Sequence, residues 1–404
     1  MPHDIRAEPQ LAFATQSKII QESPLIHKLS IGIIGGGIGG VAAAAALHQT
    51  GIDVTVYERR PQMRESGAGM MLWPNATRVL RALGLLHGLS APYESTTHFL
   101  VRGSSGKVLM NIALPRFEVP AICVRRTDLL NSLLTAVPSE HIRFGYDFEH
   151  LDQSPERVRI HFANGRVAEH DAVIGADGIR SRVRQTLCGN SAPVYRGYVI
   201  WRGLSRYYGS AVAPGESSET WGIGKRFGIL TIGNGNFTWY ATMNALPDHR
   251  DASDGRQREI LDEFAGWHAP VLDLIAATSD DAILKHPAYD VAPLRRWSSR
   301  RVTLLGDAAH PCTPNLGQGG CMALEDALVL AKCFANESSV ETALSRYEYL
   351  RRTRTRHVQQ RSLLMGHIGQ WENQLAVKSR GLVTRLLPAR IFERNLTRLY
   401  SYSI

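Results

Sequence analysis

Six consecutive residues, Gly35-Gly36-Gly37-Ile38-Gly39-Gly40, constrain this 404-residue chain more than any other feature. Before them runs the apolar stretch Leu29 to Ile34, with Ile31, Ile33 and Ile34. After them, Ile38 to Thr50 carries Val41, a string of alanines and Leu47, and stops at Gly51. The first stretch reads as a buried parallel strand, and Gly51 as a helix C-terminal cap. Asp53 to Tyr57 supplies the next strand. The segment is therefore expected to fold as a βαβ unit, with Gly35, Gly37 and Gly40 at the G-x-G-x-x-G positions of the turn.

Each glycine has a physical task. Gly35 permits the tight turn, Gly37 lets the backbone close on a pyrophosphate, and Gly40 lets the helix lie against the strand. The helix start at Ile38, Gly39 and Gly40 offers unpaired N–H groups to phosphate oxygens. Glu58 ends the second strand, placed to accept hydrogen bonds from a ribose, and Arg59 beside it is a further cofactor candidate. A carboxylate there repels a 2′-phosphate, so the resident dinucleotide is expected to be FAD or NAD rather than NADP. Tight packing alone would explain a glycine-rich turn, but not the strand, the helix and Glu58 in register.

Two distant segments decide between the dinucleotides. Gly175-Ala176-Asp177-Gly178-Ile179-Arg180-Ser181-Arg182-Val183-Arg184 follows a short apolar strand from Asp171. Gly306-Asp307-Ala308-Ala309-His310-Pro311 follows the strand Val302 to Leu305 and runs on to Pro314 and Gly317-Gln318-Gly319-Gly320, which open a helix to about Lys332. With Gly67-Ala68-Gly69-Met70, Trp73-Pro74-Asn75-Ala76 and Arg126 in Arg125-Arg126-Thr127-Asp128-Leu129, the set resembles the FAD-dependent monooxygenases of the p-hydroxybenzoate hydroxylase type. Tyr195-Arg196-Gly197-Tyr198 and Trp201-Arg202-Gly203 are most similar to the urate, nicotinate and salicylate hydroxylase-like members. The resemblance spans about residues 29 to 350.

That resemblance implies an α/β fold: a Rossmann-like FAD-binding domain with an inserted β-sheet substrate domain and C-terminal helices. It implies that Asp177 and its neighbouring backbone contact the cofactor and the transient nicotinamide donor, that Asp307 binds the ribityl chain, and that Gly69 lies beside the isoalloxazine. Arg126 matches a cofactor arginine, and Pro314, Gly317, Gly319 and Gly320 lie at the flavin ring, where N–H groups face its negative charge when reduced. NADH or NADPH is the implied transient donor. Oxygen would then give a C4a-hydroperoxide that hydroxylates an aromatic or heteroaromatic small molecule, while the protein excludes water and orients the ring.

The expected domains are an N-terminal extension (1–28), the FAD-binding domain in two parts (29–190 and 287–340), a β-rich substrate domain (191–286) and a helical region (341–404). Asn164-Gly165 and Gly233-Asn234-Gly235-Asn236 each mark a hairpin. Arg202 and Arg226 are candidates for holding an anionic or carbonyl-bearing ring, since a guanidinium binds such groups bidentately. Trp201 and Trp239 are candidates for an aromatic pocket, although strand aromatics more often pack a core. Tyr240, on the face opposite Trp239, is a candidate phenol-activating partner. Pro311 and Pro314 stiffen a wall without N–H donors on the oxygen side. Urate-hydroxylating relatives lead us to expect a tyrosine where Thr238 stands, so urate itself is put in doubt. His310 reads as structural, and Glu325-Asp326 as ties to backbone or arginine.

The net charge of +9 is concentrated late, as in Arg351-Arg352-Thr353-Arg354-Thr355-Arg356-His357. On a long helix starting near Val340 this reads as a solvated face, not a nucleic-acid surface. Beyond it lies a basic amphipathic tail broken by Pro388. It is expected to dock on its own domain, with a partner subunit or weak contact to an anionic membrane as the alternatives and no stable insertion. Five scattered cysteines without a C-x-x-C pair suggest neither a metal site nor a disulfide framework, and a reducing cytoplasm fits them. Residues 1–28 lack the apolar run of a secretory signal. A monomer or homodimer is expected. Two competing functions remain: oxygenation or epoxidation of a larger hydrophobic molecule such as a quinolone or isoprenoid, and a non-enzymatic flavin redox sensor.

Overall fold

The computed structural model describes residues 29–63, 68–90, 93–189 and 191–402. The N-terminal extension and Gly67 lie outside these. Ser30–Ile34 forms the centre of a six-stranded sheet, pairing in parallel with Ala172–Gly175 on one side and Asp53–Glu58 on the other. Val302–Leu304 adds in parallel beyond Ala172–Gly175, and Ile142–Phe144 beyond Asp53–Glu58. Ile31, Ile33, Val54, Val56 and Ile174 are fully or almost fully enclosed, as expected of strands covered on both faces. The register sets Ile34 opposite Gly175, and Gly175 opposite Leu304. All three glycine segments therefore leave the sheet side by side at its carboxyl end, where open α/β sheets bind their ligands.

The second large sheet has seven strands in the order Leu284–Asp290, Val194–Arg206, Asn236–Asn244, Lys225–Gly233, Glu216–Trp221, His98–Gly103 and Val108–Ala113. It draws on more chain than residues 191–286. Glu216–Trp221 pairs in parallel with His98–Gly103, a long-range match that no turn signal marks. The hairpin between Lys225–Gly233 and Asn236–Asn244 turns through Asn234 (φ 53°) and Gly235 (φ 72°), the positive pair that a two-residue I′ turn requires. One face of this sheet carries Trp201, Phe227 and Trp239 under a cover of two helices, Arg256–Glu263 and Val271–Ala276. The other face meets the nucleotide domain, where the Gly69 N–H donates to Thr238 Oγ1 at 3.1 Å.

The helix Val340–Gly369 opens with a reciprocal cap between Ser339 and Thr342. Its basic run is a solvated face only in part: Arg352, Arg356 and His357 are exposed as composition suggests, but Arg351 and Arg354 turn inward. Arg351 is fully enclosed, bonding Glu325 and Asp326 at 2.6 Å each, and Arg354 pairs with Glu325 at 2.6 Å. The reason lies in the neighbouring helix Gly319–Asn336, which brings both carboxylates into the core and needs cations there. Helices Gln374–Leu386 and Ala389–Tyr400 follow, separated at Pro388. The tail docks on its own chain: Tyr400 stacks on Trp73 with ring centres 4.6 Å apart, and Arg354 donates to the Leu399 carbonyl at 2.9 Å. No helix among the described residues is long and apolar enough to cross a membrane.

Candidate active site

The glycine loop has the geometry its sequence demands. Gly35 turns at φ +113°, and its N–H donates to the Tyr57 carbonyl. A Cβ on Gly40 would lie 2.0 Å from the Gly35 carbonyl oxygen, whereas one on Gly37 would meet nothing within 4 Å. The loop is thus closed against its own helix and open on the side where a pyrophosphate would sit. Helix Ile38–His48 has no side-chain cap, which leaves its first N–H groups for a ligand. Glu58 Oε2 accepts from the Gly36 N–H at 2.8 Å and Oε1 from the Arg60 N–H at 3.0 Å, fixing the carboxylate over the loop. Arg59 is exposed beside it.

The third segment closes on the first. The position of a Cβ on Gly39 lies 2.9 Å from Leu305 and 3.3 Å from Ala323, so the two helix starts touch. Gly317 turns at φ +59°, and helix Gly319–Asn336 also lacks a side-chain cap. Asp307 reaches solvent, yet protein walls it on its other sides. This enclosure pushes its carboxyl above the ordinary range, while His310, Arg126 and Arg184 pull it back. Met70 from the Gly69–Leu72 strand packs at 2.4 Å from a Cβ position on Gly320. A carboxylate open towards the cleft, two uncapped helix starts and a loop with room only on its outer side fit FAD. Gly40→Ala is expected to yield protein that purifies without bound flavin, because the new methyl overlaps the Gly35 carbonyl; flavin absorbance per chain measures this.

Asp177 is placed differently from the glycines. Its Oδ2 accepts from the N–H groups of Arg182 (2.8 Å) and Val183 (3.3 Å), capping helix Arg182–Cys188, while Oδ1 is buried without a partner among the described residues. Burial raises its carboxyl above the usual range, against the hydrogen bonds it accepts. Arg126 starts helix Arg126–Leu134 and lies near enough to influence both Asp307 and Arg202.

On the sheet face that meets this cradle, Arg202 pairs across the strands with Tyr240. Among the described residues no acceptor meets the Arg202 guanidinium. Desolvation, reinforced by the positive charge of Arg126, pushes it below its ordinary value. Arg226 differs sharply. It is buried, with Nε donating to Gln370 Oε1 (2.9 Å), Nη1 to Glu219 Oε1 (2.9 Å) and Nη2 to Asn315 Oδ1 (2.6 Å). Its donors are spent on the protein, so Arg226 is a clamp between sheet and helix and does not present itself to a substrate.

Two further expectations are corrected. Trp201 and Trp239 are 0% and 1% exposed and pack with Phe227 and Phe264 beneath the covering helices, on the face away from the cradle. Alternation puts Trp239 and Tyr240 on opposite faces, and burial of the largest rings chose the helix-covered side for Trp239 and for Trp201 with it. Tyr240 is not poised as a base either. Its hydroxyl donates to Glu219 Oε1 at 2.9 Å, and burial together with the Glu219 charge raises its phenol well above the ordinary value. Its ring lies on Gly228, where a Cβ would come 2.0 Å from the ring edge.

The sequence reading missed Glu219, the acceptor shared by Arg226 and Tyr240, and gave no role to Tyr198, Asn315 or Gln370. Tyr198, Asn244, Asn315, Gln370 and Trp371 line a cavity of about 480 Å³ next to that network. Pro311 is buried, its carbonyl accepting from Gln359 at 3.0 Å, and Pro314 begins the short turn Pro314–Leu316. His310 is buried with Nε2 2.5 Å from Asp326 Oδ2, which also accepts from the Gly306 N–H. It braces the loop. Among the described residues His150, Asp152 and His161 bring metal-ligating atoms within 4.8 Å of one another, but on the separate three-stranded sheet, where the two imidazoles stack.

Comparison with known proteins agrees with this geometry. The family model described as "FAD binding domain" matches residues 28–362. The chain is 37% identical over 363 residues to the aurachin C monooxygenase/isomerase of Stigmatella aurantiaca, covering 89% of this chain and 94% of that protein. It is 32% identical over 331 residues to the FAD-dependent urate hydroxylase of Klebsiella pneumoniae, covering 80% and 86%. The crystal structure of Klebsiella pneumoniae HpxO complexed with FAD and uric acid superposes with a TM-score of 0.86 at 27% identity, covering 92% of this chain and 97% of that one.

Proposed function

Because the chain belongs to the FAD-binding domain family and is an FAD-dependent monooxygenase, we propose that its substrate is a heteroaromatic ring gripped through an oxyanion or ring carbonyl by Arg202. One observation carries this: Arg202 is a desolvated cation without an acceptor among the described residues, on the sheet face that meets the flavin cradle. A partly buried guanidinium in that state is complementary to an anionic or strongly polarised oxygen.

In this reading Gly35, Gly37, Ile38, Gly39 and Gly40 hold the pyrophosphate, and Glu58 with Arg59 holds the ribose end. Asp307 and Arg126 meet the middle of the cofactor, the unpartnered oxygen of Asp177 adds a contact, and Gly69, Pro314, Gly317, Gly319 and Gly320 surround the ring. Bound FAD supplies the redox chemistry, with NADH or NADPH as electron donor and molecular oxygen as co-substrate. The protein's own share is positional. Arg202 orients the ring. Tyr240, locked as a neutral phenol by Glu219, forms a rigid wall beside it. Pro311 and Pro314 stiffen the opposite side and offer no N–H donors there. The enzyme works in the cytoplasm as a monomer or homodimer, and its five cysteines remain free thiols.

A second reading, oxygenation of a larger hydrophobic molecule of the quinolone kind, is favoured by the likeness to the Stigmatella aurachin C monooxygenase/isomerase. Both readings are tested by offering the FAD-loaded enzyme and NAD(P)H pairs of rings that differ only in the anchoring oxygen, small and extended. Product one oxygen heavier from the oxygen-bearing member alone supports the Arg202 grip, and the preferred size chooses between the readings. Equal turnover of both members of each pair would remove it.

A further inference from the structure

Helix Gln374–Leu386 is built inside out. At about 100° per residue, Leu375, Leu382 and Leu386 fall on one narrow face, with Val383 next to them. Leu375 is 77% exposed and Leu386 70%. On the opposite face stand Arg380 and Thr384, and both are buried. Arg380 donates to the carbonyls of Ile368 (2.7 Å), Gly369 (2.8 Å) and Gly222 (2.8 Å) and lies over the Trp221 ring. The helix is thus pinned to the body of the protein by its arginine while its leucines point outward. An ordinary surface helix does the reverse.

The exposed face continues past Pro388. Leu387 and Ile391, on either side of Pro388, are exposed as well, and so are Leu364 and Trp371 on the segment that precedes the helix. Half of the large hydrophobic side chains exposed among the described residues lie between Leu364 and Ile391, so the patch is not the scatter of single apolar residues that any surface shows. Cations flank it. Lys378 and Arg385 stand on one side of the leucine face, and Arg390, Arg394 and Arg398 form a stripe at i, i+4 and i+8 on the next helix. These five are exposed, and none forms an ion pair among the described residues. The only acid between Gln374 and Tyr400 is Glu393.

We infer that this face docks on the surface of an anionic lipid bilayer. The leucines enter the headgroup–acyl boundary and the flanking Lys and Arg side chains pair with acidic headgroups, without any segment spanning the membrane. Charge selects the bilayer over a second copy of the chain. A two-fold contact through this patch would set five unpaired cations against the same five, whereas an anionic surface neutralises them. Trp371, exposed just before helix Gln374–Leu386 begins, also lines the cavity beside the Arg226 network. The lipid contact itself does not depend on the substrate proposed above.

The test uses the full FAD-loaded chain with vesicles of phosphatidylcholine, alone or mixed with phosphatidylglycerol, read by co-sedimentation. Two double variants probe the two halves of the patch: Leu382→Glu with Leu386→Glu, and Lys378→Glu with Arg385→Glu. Flavin absorbance and circular dichroism establish that each is folded. The expected result is binding to the phosphatidylglycerol vesicles only, weakened by high salt and reduced roughly tenfold or more in each variant. Absence of binding to anionic vesicles, or binding that neither folded variant changes, overturns the inference. So does a dimer in light scattering that the leucine variant converts to monomer, which would assign the face to a second copy.

Discussion

Arg202→Gln is expected to weaken binding of the ring substrate by roughly ten- to hundredfold, the equivalent of losing about 1.5–3 kcal/mol from a hydrogen bond to a charged group, while FAD content stays unchanged. The guanidinium has no acceptor to lose among the described residues, and the arrival of a ligand offsets its desolvation. The folded protein should therefore be as stable as wild type or slightly more so. Steady-state kinetics with ring substrate would show KM rising more than kcat falls. A larger share of NAD(P)H should also be consumed without product, since a loosely held ring leaves the activated oxygen unused. Arg226→Gln makes the contrast. That arginine neutralises the buried Glu219 and ties it to Asn315 and Gln370, so its loss should lower stability before it changes specificity. Equal effects of the two substitutions on stability and on KM would show that Arg202 is structural as well.

Arg351→Met is expected to destabilise the protein by about 3–5 kcal/mol, the range for breaking a buried ion pair from one side. Arg351 is enclosed between Glu325 and Asp326, and removing it leaves Asp326 with His310 and the Gly306 N–H, and Glu325 with Arg354 and Asn75. Burial by itself would raise the Asp326 carboxyl, but His310 and Arg351 outweigh burial and hold it below the ordinary value. Glu325 is likewise held low by Arg351 and Arg354 against burial. A carboxyl with a lowered folded value contributes its stabilisation in full above the unfolded value, near pH 4, and loses it as the pH falls through the folded value. The wild-type advantage over the variant should thus be complete at neutral pH and shrink below about pH 4. Denaturant midpoints at pH 7 and at acid pH measure it. A gap that stays constant with pH would place the arginine's contribution in packing rather than charge.

The parts of the molecule legible in the sequence are those where a residue type encodes backbone geometry. Gly35 at positive φ, Gly40 against a carbonyl and Gly317 in the left-handed region admit few substitutes, so the cradle was readable from three short segments. The Asn234-Gly235 turn was readable for the same reason. What stayed hidden depends on partners distant in sequence. Nothing local says that Glu216–Trp221 takes His98–Gly103 as its neighbour, and without that sheet the burial of Glu219 against Tyr240 and Arg226 has no signal. Strand alternation divides Trp239 from Tyr240 but does not say which face the helices cover. Arg351 and Arg354 read as solvated because the carboxylates they neutralise sit on another helix.

The central claim is that this chain uses FAD to place one atom of molecular oxygen on a ring held by Arg202. Isotopically heavy oxygen tests it most directly, supplied to the FAD-loaded enzyme with NAD(P)H and an oxygen-bearing heteroaromatic ring. The account predicts product carrying one heavy oxygen atom, formed in step with NAD(P)H consumption and lost in Arg202→Gln. NAD(P)H oxidation that sends all the heavy oxygen to hydrogen peroxide, whichever ring is offered, would contradict it and leave a flavoprotein that senses or consumes oxygen without transferring it.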